Sequence, residues 1–279
     1  MNDTGPSRTA MMAAAARAAH LIVDDAPHLF HDTVAETLLG ERAAELLSYH
    51  RNSGDHPVLS GTRSQVSVRS HYTEDRLASG GFEQYVILGA GLDTFAYRSP
   101  LAERVAVYEV DHPATQDWKR ELLAAAGLGT ATVAFAGVDF ESDDLVAALT
   151  GHGFDLTRPA LVSWLGVTMY LTEPAIAATL DTLSRLAPGS ELVMEYALPP
   201  ELYDEPGRVF AQFARLATAQ QGEPMRSFFS PDSVTALLHR HGFTAAEHIS
   251  QREAVDAALW QRTDGLQPVD FCRIVRAHN

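Results

Sequence analysis

The feature that most constrains the fold is an alternation of short apolar runs with stretches of helical periodicity, which begins near Glu83. Such alternation is typical of βαβ units that build a parallel sheet covered on both faces. We therefore predict an α/β fold that binds its ligand at the carboxyl ends of the strands. The predicted strands are 85–88, 105–110, 132–138, 160–165 and 191–196, with helices predicted at 112–126, 143–149 and 174–186.

The two ends of the chain differ from this alternating region. The first eighty residues contain helical patterns and no strand pattern, so we predict a helical N-terminal cap over 1–80 and a ligand-binding domain over 81–279. An insertion at about 198–230 is predicted to cover the substrate. Two further strands are expected at 245–249 and 271–275, and the arginines beside the last one favour an edge strand.

Composition narrows the possible partners. The formal net charge of −15 at pH 7 opposes binding to nucleic acid and to anionic membrane surfaces. Cys272 is the single cysteine, which excludes an internal disulfide and a cysteine-rich zinc site, and we expect no metal. Residues 1–25 lack a signal-peptide core, and no apolar stretch approaches the ~18 residues of a membrane span. We expect a cytoplasmic protein with a small-molecule partner, and the oligomeric state stays open.

The sharpest local motif is an apolar strand that runs into the turn Gly89-Ala90-Gly91. Glycines lack a Cβ atom, so they let the backbone approach a nucleotide closely. A dinucleotide-binding loop would place a third glycine where this chain has Thr94, which weakens an NAD(P)-type interpretation. An ordinary strand-to-helix turn is the alternative interpretation of the motif.

Acidic residues follow the next two predicted strands. Asp111 lies twenty positions after Gly91, where a carboxylate can accept both hydroxyls of a ribose. Glu109 shares its face of the strand and is the other candidate. Asp139 and Phe140 end the third strand and offer an acceptor and an apolar surface to an adenine ring. The alternative role for Asp139 is to cap a helix that begins near 142.

Together with these motifs, several blocks of the chain resemble the leucine carboxyl methyltransferase-like family of class I S-adenosylmethionine (SAM) dependent methyltransferases, which includes actinobacterial O-methyltransferases of natural-product pathways. The resemblance covers nearly the whole chain. The blocks are PSRTA at 6–10, RAAH at 17–20, VILGAGLDT at 86–94, AYR at 96–98, YEVDHP at 108–113, WLGVTMYL at 164–171, GEP at 222–224, SFF at 227–229 and RTDGL at 262–266.

The resemblance implies a Rossmann-like twisted sheet of about seven strands, mostly parallel, with an antiparallel strand near the C-terminus, and SAM as cofactor. It implies that the turn Gly89-Ala90-Gly91 faces the cofactor, that Asp111 or Glu109 binds the ribose and that Asp139 with Phe140 binds the adenine. The arginine that binds the methionine carboxylate matches Arg69, with Arg63 as the alternative. Leu165 stands at a cofactor position where several members have glutamate, so backbone carbonyls near Gly89 are the expected partners of the SAM amino group.

The acceptor site is less well marked in the sequence. Methyl transfer is an in-line displacement, so we expect catalysis mainly by positioning, with a base needed for a phenol but not for a carboxylate. The candidates for a catalytic group are His71, Tyr72 and His20. Arg17, Tyr170 and Tyr196 are predicted to contact the substrate.

The function predicted from the sequence is O-methylation of a hydroxyl or carboxyl group of a small secondary metabolite. A protein C-terminal carboxyl methyltransferase is the alternative within the same class. An NAD(P)-binding dehydrogenase and a SAM-binding pseudo-enzyme are the alternatives outside it, the latter because of Leu165.

Overall fold

The computed structural model describes residues 7–130, 132–220 and 222–279 and contains one seven-stranded sheet of order β3-β2-β1-β4-β5-β7-β6. The first block of the family resemblance therefore has its initial Pro6 outside the described residues. The strands are β1 Gln84–Leu88, β2 Ala106–Asp111, β3 Val133–Gly137, β4 Ala160–Trp164, β5 Glu191–Ala197, β6 Ala245–Ile249 and β7 Cys272–His278.

Strands β1 to β5 are parallel, and β7 runs antiparallel to both of its neighbours, β5 and β6. The predicted mostly parallel, seven-stranded fold is confirmed. The prediction that the last strand lies at the edge was wrong, because β7 is inserted between β5 and β6 and the edges are β3 and β6. Arg276 does not mark an exposed edge, since it forms an ion pair with Glu247 on the neighbouring β6.

Helices cover both faces of the sheet. Alternate residues of β1 pack into two different clusters, Val86 and Leu88 on one face and Tyr85 and Ile87 on the other. The helices are α1 Arg8–Val23, α2 Ala35–Leu38, α3 Ala43–Ser53, α4 Pro57–Gly80, α5 Phe95–Arg98, α6 Pro113–Ala125, α7 Leu145–Gly151, α8 Glu173–Leu183, α9 Glu205–Gln220 and α10 Pro231–Arg240. Within the described residues, none of the helices could cross a membrane.

Local sequence explains where several helices begin. In α4, α6 and α10 a polar N-cap side chain is followed directly by proline, as in His56-Pro57, His112-Pro113 and Ser230-Pro231. The cap side chain accepts a hydrogen bond from an otherwise unpaired N–H group, and proline at the first position has no N–H to satisfy. These pairs set the start of α4 and α6, two helices that border the strand ends.

The helices α1 to α4 form a layer that is joined to the sheet by buried ion pairs. Asp32 is 2% exposed and accepts hydrogen bonds from Arg17 of α1 and from Thr94 after β1, both at 2.7 Å. Burying a carboxylate to this extent is costly unless ion pairs or hydrogen bonds compensate it. Because Asp32 contacts both parts of the chain, it fixes α1 beside the turn that follows β1. The division into a cap over 1–80 and a domain over 81–279 stays a prediction.

Candidate functional site

A cavity of about 530 Å³ lies at the carboxyl ends of the parallel strands. Its floor is formed by the residues that end or follow β1 to β4: Leu88 to Gly91, Asp111 and His112, Val138 to Glu141, and Leu165 to Val167. The start of α1, one face of α4, α9 and the segment 222–226 enclose it from the other side. Its volume is within the roughly 300–1,000 Å³ of typical small-molecule sites.

The turn after β1 has a conformation that only glycine accepts easily. Gly89 and Gly91 have φ angles of +66° and +47°, in the left-handed region. A Cβ atom on Gly89 would lie 2.2 Å from the side chain of Val167, and one on Gly91 would lie 2.9 Å from the Cβ of Ala10. The glycines therefore let β1 turn sharply while α1 and the segment after β4 approach it closely.

Asp111 is held at the cavity by backbone donors. Its carboxylate accepts the N–H of Gly91 at 2.6 Å and the N–H of His112 at 2.7 Å, one on each oxygen. Burial raises the pKa of Asp111, although these two N–H groups oppose that effect. Since a carboxylate can accept about four hydrogen bonds, both oxygens keep capacity for the two hydroxyls of a ribose.

Asp111 differs from the other buried acids of the described chain. Each of the others forms an ion pair with arginine or lysine, whereas Asp111 has none. The ion-paired acids are Asp24, Asp32, Glu109, Glu191 and Glu195. A buried carboxylate without a cation beside it, at the wall of a cavity, is suited to bind a ligand.

The structure places Glu109, the other ribose candidate, outside the cavity. Its carboxylate pairs with Lys119 of α6 at 2.5 Å, and both side chains are buried. Burial raises the pKa of Glu109 to about 7, an effect that Lys119 opposes. Glu109 therefore belongs to the packing between β2 and α6, and the expectation that it contacts a ribose does not fit this geometry.

Asp139 and Phe140 both line the cavity, as does Leu165. The Asp139 side chain accepts the N–H of Glu141 at 3.0 Å, whereas the cap of the following helix α7 is Asp144. Phe140 packs against the buried Trp164, with ring centroids 6.2 Å apart. The two side chains are thus positioned to offer an acceptor and an apolar ring face to a base.

Arg69 projects from α4 into the cavity, where Glu195 of β5 holds its guanidinium at 2.6 Å. Gln65, one turn earlier, donates to the second oxygen of Glu195 at 2.9 Å. Gly166, with a φ of +72°, lies so close that a Cβ atom there would be 2.6 Å from the guanidinium. The alternative, Arg63, is buried against Asp24 and does not line the cavity, so it cannot replace Arg69 there.

Sequence reasoning missed several residues that line the cavity or position its side chains. Glu195 and Gly166 position Arg69, and Glu223 binds the start of α1 by accepting the N–H groups of Arg8 and Thr9 and hydroxyl groups of the same segment. The block GEP at 222–224 was a signal for Glu223, although not for its role. Glu223 closes the cavity by joining the segment after α9 to α1.

The three predicted catalytic candidates lie outside the cavity. His20 is fully buried, with Nδ1 on Asp24 and Nε2 accepting the N–H of Leu29, and burial lowers its pKa. His71 pairs with Asp75 on the surface of α4. Tyr72 packs against the apolar cluster on the sheet face opposite Trp164. None of them can contact a ligand in the cavity in this arrangement.

The structure places two of the three predicted substrate residues at the cavity and the third away from it. Tyr170 lines the cavity. Arg17 lines it too, but its guanidinium is engaged by Asp32 and by the carbonyl of Leu92. Tyr196 is fully buried and its hydroxyl is hydrogen-bonded to His248, away from the cavity, so its predicted substrate contact does not fit.

In the part of the chain that the structure describes, no cluster of His, Cys, Asp and Glu is arranged to hold a metal ion.

A sheet of this order, with its cavity at the carboxyl ends of the parallel strands, defines the class I methyltransferase fold. The chain is similar to solved structures that have this fold. A protein of Thermobifida fusca assigned as a methyltransferase matches with a TM-score of 0.62 and 18% identity and covers 100% of this chain and 96% of its own. A DUF574 family protein of Streptomyces avermitilis matches with a TM-score of 0.57 and 18% identity, over 95% and 97% of the two chains. At these identities the likeness shows the fold alone.

The chain belongs to the leucine carboxyl methyltransferase family, whose model matches residues 10–184. The relative YktD of Bacillus subtilis is 32% identical to this chain, and the match covers 99% of both chains. Its name assigns it to the S-adenosyl-L-methionine-dependent methyltransferases. A relative in Mycobacterium avium with the same assignment is 36% identical over 71% of this chain and 67% of its own length. The family expected from the sequence blocks is confirmed.

Asp111→Ala tests the predicted ribose contact. We expect SAM affinity to fall by more than tenfold, because each hydroxyl left without its partner costs about 1–3 kcal/mol and 1.4 kcal/mol is a factor of ten. Calorimetric titration with SAM measures the change, and the exposed Asp117→Ala of α6 is the matched control that should bind normally. An unchanged dissociation constant in folded Asp111→Ala would refute the assignment.

Arg69→Lys tests the predicted carboxylate contact. Lysine keeps a positive charge beside Glu195 but loses the planar pair of N–H groups that grips a carboxylate. SAM and S-adenosylhomocysteine both contain that carboxylate, so their affinities should fall by a similar factor, roughly tenfold. His71→Gln, two residues away but outside the cavity, is the control. Loss of affinity for only one of the two ligands would contradict the assignment.

Proposed function

We propose that this chain methylates a carboxylate oxygen of a small, largely apolar molecule such as a secondary metabolite. The coarser part of this statement is established, since as a family member the chain is a SAM-dependent methyltransferase with SAM as its cofactor. The single observation that carries the finer part is the character of the cavity away from the strand ends, which is largely apolar and whose proton-accepting side chains are already engaged. The cytoplasmic location of the protein stays a prediction from the single cysteine.

One face of α4 runs along the whole cavity. Arg69 lies near one end of this face and Val58 lies at the other, eleven residues earlier, which is about 16 Å along a helix axis. Because Arg69 lies beside Gly166 at the strand ends, we assign that end to the cofactor and the end near Val58 to the acceptor. The α4 residues of the cavity are Val58, Leu59, Thr62, Gln65, Val66, Arg69 and Ser70.

The acceptor end is lined mainly by apolar side chains. Three methionines line the cavity, Met12 of α1, Met169 and Met225, and Phe210 of α9 lies against Gly61 of α4 toward the Val58 end. Methionine side chains are flexible and polarizable, so they fit flat apolar molecules of varied outline. This lining favours an acceptor with a substantial hydrocarbon or aromatic part.

The residues of the chain bind and position the reactants, and SAM when bound supplies a methyl group on a positively charged sulfur. Asp111 and Arg69 would hold the ribose and the methionine carboxylate. The start of α1, α9 and Glu223 cover the cavity on the side away from the strand ends. A displacement of this kind is accelerated chiefly by holding the acceptor oxygen in line with the bond that breaks.

No side chain at the acceptor end is free to remove a proton. The described side chains away from the strand ends that could accept one are Tyr170, His50 and Glu223, and the Glu223 carboxylate already accepts hydrogen bonds from the start of α1. Burial raises the pKa of Tyr170, so its hydroxyl stays protonated. The lone pair on Nδ1 of His50 accepts a hydrogen bond from Arg63, so it is not available to accept a proton. A phenol, with a pKa near ~10, would need such a base at neutral pH, whereas a carboxylate is already ionised.

The test compares three acceptors with labelled SAM: 4-phenylbenzoate, 4-phenylphenol and a peptide that ends in leucine. We expect methylation of the benzoate at a rate that is constant between about pH 6 and 9, since its carboxyl group, with a pKa near ~4, is ionised throughout. The product should release labelled methanol in alkali, as an ester does.

Two results would contradict this proposal. Methylation of the phenol alone, with a rate that rises toward its pKa and a product stable to alkali, would assign a hydroxyl acceptor. Methylation of the peptide alone would assign the protein C-terminal carboxyl activity. Binding of NAD without binding of SAM in calorimetry would contradict the class itself.

A further inference from the structure

His50 of α3 lines the acceptor end of the cavity yet is only 2% exposed. The helix α3 packs against α1, and His50 contacts Arg63, the residue that follows the cavity residue Thr62 on α4. The side chain therefore lies between the buried interior of the helical layer and the space where the acceptor would bind.

Arg63 fixes which nitrogen of His50 carries the proton. Arg63 donates to both oxygens of Asp24 at 2.8 Å, and its Nη1 donates to the carbonyl of Gly54 at 3.0 Å and contacts Nδ1 of His50 at 3.2 Å. A guanidinium has donors only. The Nδ1 atom must therefore accept, and the hydrogen of the neutral ring lies on Nε2.

The ring stays neutral over the ordinary pH range. Burial and the positive charge of Arg63 on α4 lower the pKa of His50 to about 4, and the charge of Asp24 after α1 opposes them. Within residues 7–130, 132–220 and 222–279, the Nε2–H group forms no hydrogen bond. Because His50 lines the cavity, its unpaired Nε2–H is left available to a ligand there.

We propose that His50 binds the acceptor through a hydrogen bond from Nε2–H to an oxygen of the acceptor other than the one that is methylated. This inference rests on the proposed function and adds a required chemical group to the acceptor. A hydrogen bond donated to the attacking oxygen would lower its nucleophilicity, so the bound oxygen is a second one: a carbonyl, an ether or the other oxygen of a carboxylate.

The role differs from that of a general base. With Nδ1 held by Arg63 and Nε2 already protonated, the ring has no free lone pair to accept a proton. Oxygen acceptors are therefore selected at this position, and groups that can only donate, such as an ammonium or an amide N–H, are rejected because two donors that face each other repel. His50 is a specificity-determining residue by this reasoning.

The test uses two probes of nearly equal shape, 2-acetylnaphthalene and 2-isopropenylnaphthalene, which differ by a carbonyl oxygen in place of a CH₂ group. Each is titrated by calorimetry into wild-type protein saturated with S-adenosylhomocysteine. We expect the ketone to bind roughly threefold to tenfold more tightly than the alkene, the range of one buried hydrogen bond.

Three variants locate the effect. His50→Leu should reduce the ketone-to-alkene affinity ratio to about one. His50→Gln should retain much of the preference, because its amide oxygen can accept from Arg63 while its NH₂ group donates to the ketone. His71→Gln, a histidine change outside the cavity, should leave the ratio unchanged.

A nitrogen-15 spectrum of the imidazoles gives a readout that does not depend on the stability of a variant. The His50 signals should show hydrogen on Nε2, and that signal should shift with the ketone and not with the alkene. Equal affinities for the two probes, no binding of either probe, or hydrogen on Nδ1 would overturn the proposal. These failures are distinguishable from failure of the proposed function, which would appear as methyl transfer from labelled SAM to the phenol alone or to the peptide alone.

Discussion

The arrangement of this molecule depends on the hydrogen bond from the N–H of Gly91 to the carboxylate of Asp111, 2.6 Å long. The strands β1 and β2 are parallel neighbours, so their carboxyl ends meet at one edge of the sheet. Gly89 and Ala90 add two hydrogen bonds to the carbonyl of Val110. The turn after β1 is thereby bound to the end of β2, and the floor of the cavity has a fixed shape.

The roof of the cavity depends on the same turn. Ala10 of α1 packs so closely on Gly91 that a side chain there would collide with it. Asp32 then joins α1 to Thr94, three residues further along the turn segment. The buried carboxylates of the helical layer form ion pairs with arginines, which stabilises the layer. Asp111 forms no ion pair within the described chain, so its carboxylate is available to a ligand. Asp111, the predicted ribose contact, is thus distinguished from the structural acids by what lies beside it.

Much of this could be predicted from the sequence because it depends on local patterns. The apolar runs specify the strands, and the spacing from Gly91 to Asp111 is one βαβ step, so the floor of the cavity is encoded in a short stretch of chain. Strand order is not encoded in this way. The antiparallel insertion of β7 beside β5 joins residues about eighty positions apart, and neither strand pattern indicates its neighbour.

The acceptor end could not be predicted because it depends on helix faces and distant pairs. His71 was selected for its closeness to Arg69 in sequence, but two residues are about 200° around a helix, so it faces away. Glu195 meets Arg69 across 126 positions, and His50 meets Arg63 between two helices. Glu109 shares a strand face with Asp111, yet α6 covers it with Lys119. Such contacts are visible only in the folded chain.

The most direct test of this account is a crystal structure of the protein with S-adenosylhomocysteine. The account predicts that the ribose hydroxyls contact Asp111, that the carboxylate contacts Arg69 and that the sulfur faces the part of the cavity lined by α4 and α9. A nucleoside bound away from Asp111, or a sulfur that faces away from α4, would contradict it.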